Sequence, residues 1–340
     1  MSFLTPIDIG NRALQHCGSR FISQFTDLTK GAVAVKGCYD VLRRAELRER
    51  LWKFTPRTVV LRPVTATTQV LAFPAYASGT TYAAGRIVTD NDYSGNSATW
   101  ISIQGSNTGN TPRTSPLFWT QYTGVLQCDS YSAGITYYAG EIVLSSAVFY
   151  ISNSDANTAN TPSGGAPWVA LTGVTGTTLF SPVTLTANRA GTTLNAYRLP
   201  ANYLRIAPQD PKVAGTTYAA TGGGMQWTDM EFRGQYIITA QASPLIFRFG
   251  ADVYDVTQMD DMFCEALAAR VGMSICEQLT QKPQLAQTLS TLYTSYVNSA
   301  AKLNAIEQGS TEEEEEGYRV SRDPEDMLVQ TAKGGGGGGR

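Results

Sequence analysis

A single histidine, His16, stands in 340 residues, and that count narrows the possible chemistry. With one imidazole, most Ser-His-Asp and Cys-His nucleophile arrangements and most histidine-based metal sites are excluded. His16 precedes Cys17 at the end of a short predicted helix, where the helix C-terminal dipole or simple packing accounts for it. Two carboxylates could hydrolyse a glycosidic bond without a histidine. The two duplicated units in the middle of the chain hold few acids, Asp90, Asp92, Asp129, Glu141 and Asp155, and the pair Asp260-Asp261 elsewhere reads as helix N-terminal charge. Five cysteines (Cys17, Cys38, Cys128, Cys264, Cys276) are odd in number and show no CxxC spacing, which argues against a disulfide framework and a zinc site. No Walker or Rossmann glycine pattern occurs. The expectation is a protein that is not an enzyme and takes no cofactor and no metal.

The other side chains that could bind something are aromatic, and they come in two sets. Leu71 to Gly85 aligns with Leu126 to Gly140 at a constant offset of 55. The offset falls to 50 at Trp100 and Tyr150, still holds at Asn110-Thr111-Pro112 and Asn160-Thr161-Pro162, and is 49 at Trp119 and Trp168. A small folded unit with a variable turn is therefore duplicated. Tyr82, Trp100 and Trp119 in one copy, and Tyr137, Tyr150 and Trp168 in the other, could stack on sugar faces. They could equally form the core, since a unit of about 45 residues needs its aromatics inside.

Basic residues concentrate on the second predicted helix: Lys36, Arg43, Arg44, Arg48, Arg50 and Lys53. Asp40–Arg44, Glu46–Arg50 and Glu49–Lys53 are acid-before-base i,i+4 pairs, which predicts a salt-laced exposed face rather than a DNA-binding one. A net charge of −2 exerts no general pull on nucleic acid or anionic membranes. No 18-residue apolar run and no secretory leader pattern are visible, so a soluble chain without a membrane span, kept in a reducing compartment, is expected.

The elements that must position these residues fall into a helical frame around a β insertion. Thr5 caps a helix that starts at Pro6 and stops near Cys17-Gly18; a second helix fits Lys30 to Phe54. Strands are expected at Thr58–Leu61, Tyr203–Ile206, Met225–Phe232, Tyr236–Ala240 and Leu245–Phe249. Thr257-x-x-Asp260 caps a third helix that is apolar on two flanks, with Phe263, Leu267, Val271, Ile275 and Leu279 at i+4 steps. Pro283 starts a fourth, roughly 36 Å long. Its Leu285, Leu289, Leu292, Tyr296, Ser299, Leu303 and Ile306 repeat 4-3 as a seam that suggests contact with a neighbouring subunit. Past Gly309, the Glu312–Glu316 run and the terminal glycines read as a flexible tail. The expected fold class is α+β: a four-helix bundle body with a small β platform, interrupted by two all-β modules. The expected divisions are 1–70, 71–124, 125–174, 175–256, 257–309 and 310–340.

Each duplicated unit resembles the small chitin- and cellulose-type carbohydrate-binding module. The shared string is an aromatic, a Gly, a β pair, an aromatic, an Asn/Thr/Pro turn and a closing Trp. The resemblance implies that exposed aromatics bind glycan. The helical frame resembles the tail adaptor of short-tailed phages, the tail tubular protein A family, through Ile7–Thr55, Tyr197–Ile206 with the strands up to Asp255, and the helix pair Met259–Glu307. That resemblance implies a virion tail protein assembled in the host cytoplasm as a dodecameric ring. Its partners would be copies of itself, a portal protein and a tail nozzle or tail fibre protein. Double-stranded DNA would pass through the channel without specific binding. A glycan-binding adhesion protein and a two-carboxylate glycosidase are the alternative readings.

Overall fold

The computed structural model describes residues 3–92, 95–163, 165–178, 194–207 and 230–308. Local signals set the helices. Helix α1 (Pro6–His16) begins with a full capping box between Thr5 and Asp8 and is followed by Gly18 at φ +65°. Helix α2 (Lys30–Glu49) ends before the expected Phe54, because Trp52 and Phe54 turn into the core. Both rings meet Phe263 edge-on, at 5.0 and 5.1 Å, and the Trp52 indole donates to the Glu46 carbonyl (3.0 Å). Helix α3 (Asp261–Thr280) is capped by Asp260 alone, which accepts from the Met262 and Phe263 amides. The expected cap residue Thr257 lies instead in a preceding 3-10 turn that Asp255 caps. Helix α4 runs Pro283–Gln308.

The strands, numbered in chain order, carry most of the architecture. Strand β1 (Pro56–Leu61) pairs with β19 (Leu245–Ala251), which pairs with β16 (Tyr203–Ile206). A second sheet joins β15 (Asn195–Arg198), β18 (Tyr236–Thr239) and β17 (Glu231–Arg233). The two share one core of Leu61, Tyr197, Ile237, Leu245, Phe247 and Phe249, and this is the platform. Of the strand expected at Met225–Phe232, residues 225–229 lie outside the described residues.

The duplication is visible in backbone and side chains alike. The first copy holds β2 (Gln69–Ala72), β3 (Thr81–Tyr82), β4 (Ile87–Asn91), β5 (Ser97–Ser102), β6 (Asn107–Thr108) and β7 (Trp119–Gln121). The second holds β8 (Gln127–Ser130), β9 (Thr136–Tyr137), β10 (Ile142–Ser145), β11 (Val148–Ser152), β12 (Asn157–Thr158) and β13 (Trp168–Leu171). Each has the three-stranded meander, β4-β5-β7 or β10-β11-β13, and the short pair, β3-β6 or β9-β12. The copies are not separate domains. Strand β2 leaves its own meander to pair with β8 and with β14 (Thr175–Thr178), giving a six-stranded sheet β13-β11-β10-β8-β2-β14. Alternation does the rest. Ile87 and Ile101 of one copy and Ile142 and Ile151 of the other turn into a common core with Phe73, Tyr122, Phe149 and Leu171. Their neighbours Val88, Trp100 and Val143 turn the opposite way, into each copy's own aromatic cluster.

The expected α+β class with a four-helix bundle body is corrected here. Among the described residues the chain is mostly β, with nineteen strands in six sheets against four helices. The helices do not ring a shared axis. Helix α3 is the centre: Phe263, Leu267, Val271 and Ile275 are buried, and so are Ala266, Ala268, Ala269 and Gly272 on its other flank. At Gly272 a Cβ would meet the Ala13 carbonyl oxygen at 3.3 Å, so α1 lies directly on the backbone of α3. The sequence reading overweights helices because their periodicity runs for twenty residues, whereas strands of two to seven residues carry little pattern each.

Candidate functional site

The six aromatic positions expected to bind glycan are placed as follows. In the first copy Tyr82 lies 5.1 Å from Trp119 at 69°, and Tyr76 stacks on Tyr82 (5.7 Å) while meeting Trp119 edge-on (6.0 Å). In the second, Tyr137 and Trp168 lie 5.4 Å apart at 68°, with Tyr131 in the place of Tyr76 at 5.7 and 6.0 Å. The polar tips are matched too. The Tyr82 hydroxyl accepts from the Ala77 amide and that of Tyr137 from the Ser132 amide, both at 2.8 Å. Trp119 donates to the Asn110 carbonyl (2.8 Å) and Trp168 to that of Asn160 (2.7 Å), so the Asn/Thr/Pro turn exists to receive an indole. Gly85 and Gly140, at φ +83° and +88°, bring their amides onto the carbonyls of Ser102 and Ser152.

This geometry uses the rings internally. Trp119 and Trp168 are each 1 % exposed; Tyr82, Trp100 and Tyr137 are buried and Tyr150 is half-buried. The sugar-stacking role proposed for Tyr82, Trp100, Trp119, Tyr137 and Trp168 is therefore not what this arrangement offers, because no ring face is presented. The physical reason is the small size of each unit, which has little else to build a core from.

The seam of α4 is likewise largely spent inside the chain. Leu289 is buried, and Leu285 and Leu292 pack on the helical core. From Tyr296 onward the buried line moves ahead to Val297 and Ala300, leaving Ser299 and Leu303 outward, the latter 43 % exposed. A straight helix drifts about 20° per heptad against a 4-3 repeat, and that drift turns Leu303 to solvent. The side chain of Ile306 lies outside the described residues.

What distinguishes the two copies is how they attach. Position 86 in the first corresponds to 141 in the second. Arg86 donates to the Ala170 carbonyl (2.9 Å) and the Thr172 hydroxyl, fastening copy to copy. Glu141 accepts from the Nε and Nη2 of Arg62 through its two oxygens (2.8 and 3.1 Å), fastening the second copy to the end of β1. Arg62 also donates to the Thr136 carbonyl (2.7 Å) and lies over the Tyr137 ring. The first copy meets the helical body at buried Arg43, which donates to Asp252 (2.5 Å) and the Val253 carbonyl (2.6 Å) and covers the Tyr254 ring at 4.5 Å. Tyr254 packs in turn on the first aromatic cluster, and Asn96 reaches Asp40 (2.9 Å). Sequence alone does not single out Arg86, and Glu141 reads there only as one of the few acids, without its Arg62 partner. The offset of 55 carried the signal, an opposite charge at equivalent positions.

Between β1, β7 and the second copy opens a cleft of about 730 Å³, walled by Thr58, Tyr122, Gln127 and Glu141 among others. Burial pushes the Tyr122 hydroxyl and the Cys128 thiol up, the latter to about 12. The wall's carboxylates have internal partners: Glu141 the Arg62 guanidinium, Asp129 the hydroxyls of Thr65 and Thr68, and Asp155 the Ala139 amide. Among the described residues, no group of three or more His, Cys, Asp or Glu could hold a metal ion. There also, no helix is long and apolar enough to cross a membrane. No protein-family model matches this sequence, and no curated protein matches it.

The expected i,i+4 lacing of α2 does not form, and the reason is tertiary. Asp40 pairs with Arg43 (3.5 Å), and Arg44 turns to Asp252 (3.3 Å). Glu46 is buried, where it accepts from Arg270 and from the Tyr293 hydroxyl (2.5 Å). Glu49 faces Arg270 (3.5 Å), and Lys53 approaches Asp260 at 3.9 Å. The acids of α2 hold α3 and the modules in place rather than neutralising their own helix.

Proposed function

We propose that this chain is a structural virion protein rather than an enzyme: the subunit of an adaptor ring that joins a portal to a tail nozzle and lets double-stranded DNA pass. The observation that carries this reading is the single core built by α1, α2, α3 and α4. The segments before and after the long β insertion belong to one body, as the resemblance to the tail adaptor family requires. The insertion is joined to that body at Asn96–Asp40, at Tyr254 packed on the first aromatic cluster, and at Arg62–Glu141.

A ring subunit also needs surface that its own chain leaves bare. Val33, Gly37 and Val41 follow one another at i+4 steps along the outer face of α2, with both valines exposed and nothing within 4 Å of a Cβ at Gly37. Leu28, 98 % exposed, stands just ahead of the helix. An aligned apolar set of this kind suits a subunit contact.

The test is the native mass of the full chain, alone and with a portal protein from the same genome. The expected result is a closed multimer that co-elutes with the portal, and conversion to folded monomers by Val33→Asp with Val41→Asp. A wild-type chain that stays monomeric beside the portal ends the reading.

A further inference from the structure

The cleft of about 730 Å³ is walled by two open sheet edges. Among the described residues, strand β1 pairs only with β19, and β7 only with β5. The Ala251 amide donates to the Thr55 carbonyl directly opposite it (2.9 Å), so Thr55, Arg57, Val59 and Leu61 turn their backbone groups toward β19. The groups of Thr58 and Val60 point the other way, off the edge. On β7 the Tyr122 amide donates to the Thr99 carbonyl (2.9 Å), and the same alternation sends the backbone groups of Gln121 outward. Among the described residues, the backbone N–H and C=O of Thr58, Val60 and Gln121 have no partner.

Both edges border the cleft. Thr58, Val59 and Val60 line it in succession, as do Thr120 to Val125, so strand backbone forms the wall rather than one face of a sheet. The Arg62 carbonyl, next in the outward series of β1, already accepts from the side-chain amide of Gln127, another residue of the wall (3.3 Å). At the other end Pro56 has no N–H to offer. The open stretch is therefore short and centred on Thr58 and Val60. The charged side chains of the wall are all engaged within the chain: Arg62 with Glu141, Asp129 with Thr65 and Thr68, and Asp155 with the Ala139 amide.

We propose that the cleft takes a short extended peptide of another protein, which adds to β1 as a further strand. Main-chain pairing with Thr58 and Val60 supplies the affinity, and Gln121 offers one more donor and acceptor on the other wall. A donor and an acceptor on every second residue match the period of a strand, which a sugar ring lacks. With no charge to spare on the wall, the segment that fits carries neutral side chains where it lies in the cleft. The inference stands on the register of β1 and β7 and does not depend on the ring.

The experiment screens the full chain against a synthetic library of random peptides about six residues long, a common strand length. The best binder is then remade in two forms, with N-methyl groups on the odd or on the even amides. The expected binder is free of Asp, Glu, Lys and Arg, and it slows amide hydrogen exchange at Thr58 and Val60, read residue by residue by NMR. One N-methylated form is expected to bind about tenfold more weakly than the parent, because its strand-facing donors are gone. A library without a binder, a charged binder, a footprint away from Thr58 and Val60, or two N-methylated forms as tight as the parent would each overturn the proposal. Exchange at Thr58 and Val60 that is slow without peptide and quickens on dilution would give the edge to a second copy of this chain. Slowing by chitin oligosaccharides and by no peptide would give the cleft to a sugar, and either result overturns the proposal as well.

Discussion

His16 shows how much a single position can report. Its Nε2 is buried without a partner, and desolvation, helped by Arg12 and opposed by Glu265, lowers its pKa from the ordinary 6.5. The unfolded imidazole therefore binds a proton more readily than the folded one. As pH falls below 6.5 the unfolded state gains protons first, so this group makes the fold less stable toward acid and costs nothing above that value. As the only histidine it gives an isolated NMR signal. The imidazole titration is expected to have its midpoint below 6.5 in the folded chain and to return to the ordinary value in urea. A folded midpoint at or above 6.5 would contradict the burial of Nε2. The sequence placed His16 correctly at the end of α1, and the packing explanation needed no site. It could not show that Arg86 and Glu141 do opposite jobs, because their partners Ala170, Thr172 and Arg62 are remote in the chain.

At the scale of elements, the first cap was legible, whereas the Thr257 cap and the faces were not. The Thr5–Asp8 box, the stop at Gly18 and the strands at Tyr203–Ile206 and Tyr236–Thr239 all follow from neighbouring residues. The face of α4 depends on the cumulative twist of twenty-six residues, so a small error in period per turn grows until Leu303 and Ala300 exchange roles. This separates two leucines that one repeat treats as equal. Leu289→Ala is expected to destabilise the chain by about 2–5 kcal/mol, whereas Leu303→Ala should stay within about 0.5 kcal/mol. Urea unfolding of both variants checks it, and equal losses would mean that the seam is buried along its whole length. The acids of α2 were misassigned for a similar reason. An i,i+4 neighbour is worth a few tenths of a kcal/mol, and a buried tertiary partner such as Arg270 outbids it.

At the scale of the whole molecule, the repeat was read correctly and its independence was not. Local alignment finds two copies, but which face of Ile87 or Ile142 meets which neighbour is decided by pairing across them, β2 of the first copy with β8 of the second and with β14. The common core predicts that damage in one copy loosens the other. Phe149→Ala, made in the second copy, is expected to speed hydrogen exchange at β4 and β5 in the first, as read by mass spectrometry. Acceleration confined to residues 125–171 would mean that the copies fold separately.

The opposite charges at positions 86 and 141 also fix an order of assembly for the gene itself. Transposing the two units would aim a carboxylate at the carbonyl of residue 170 and a guanidinium at Arg62, where like repels like. A third unit spliced between them would find neither latch free. The pair is therefore a closed series: a transposed gene is expected to yield insoluble product while the parental order expresses.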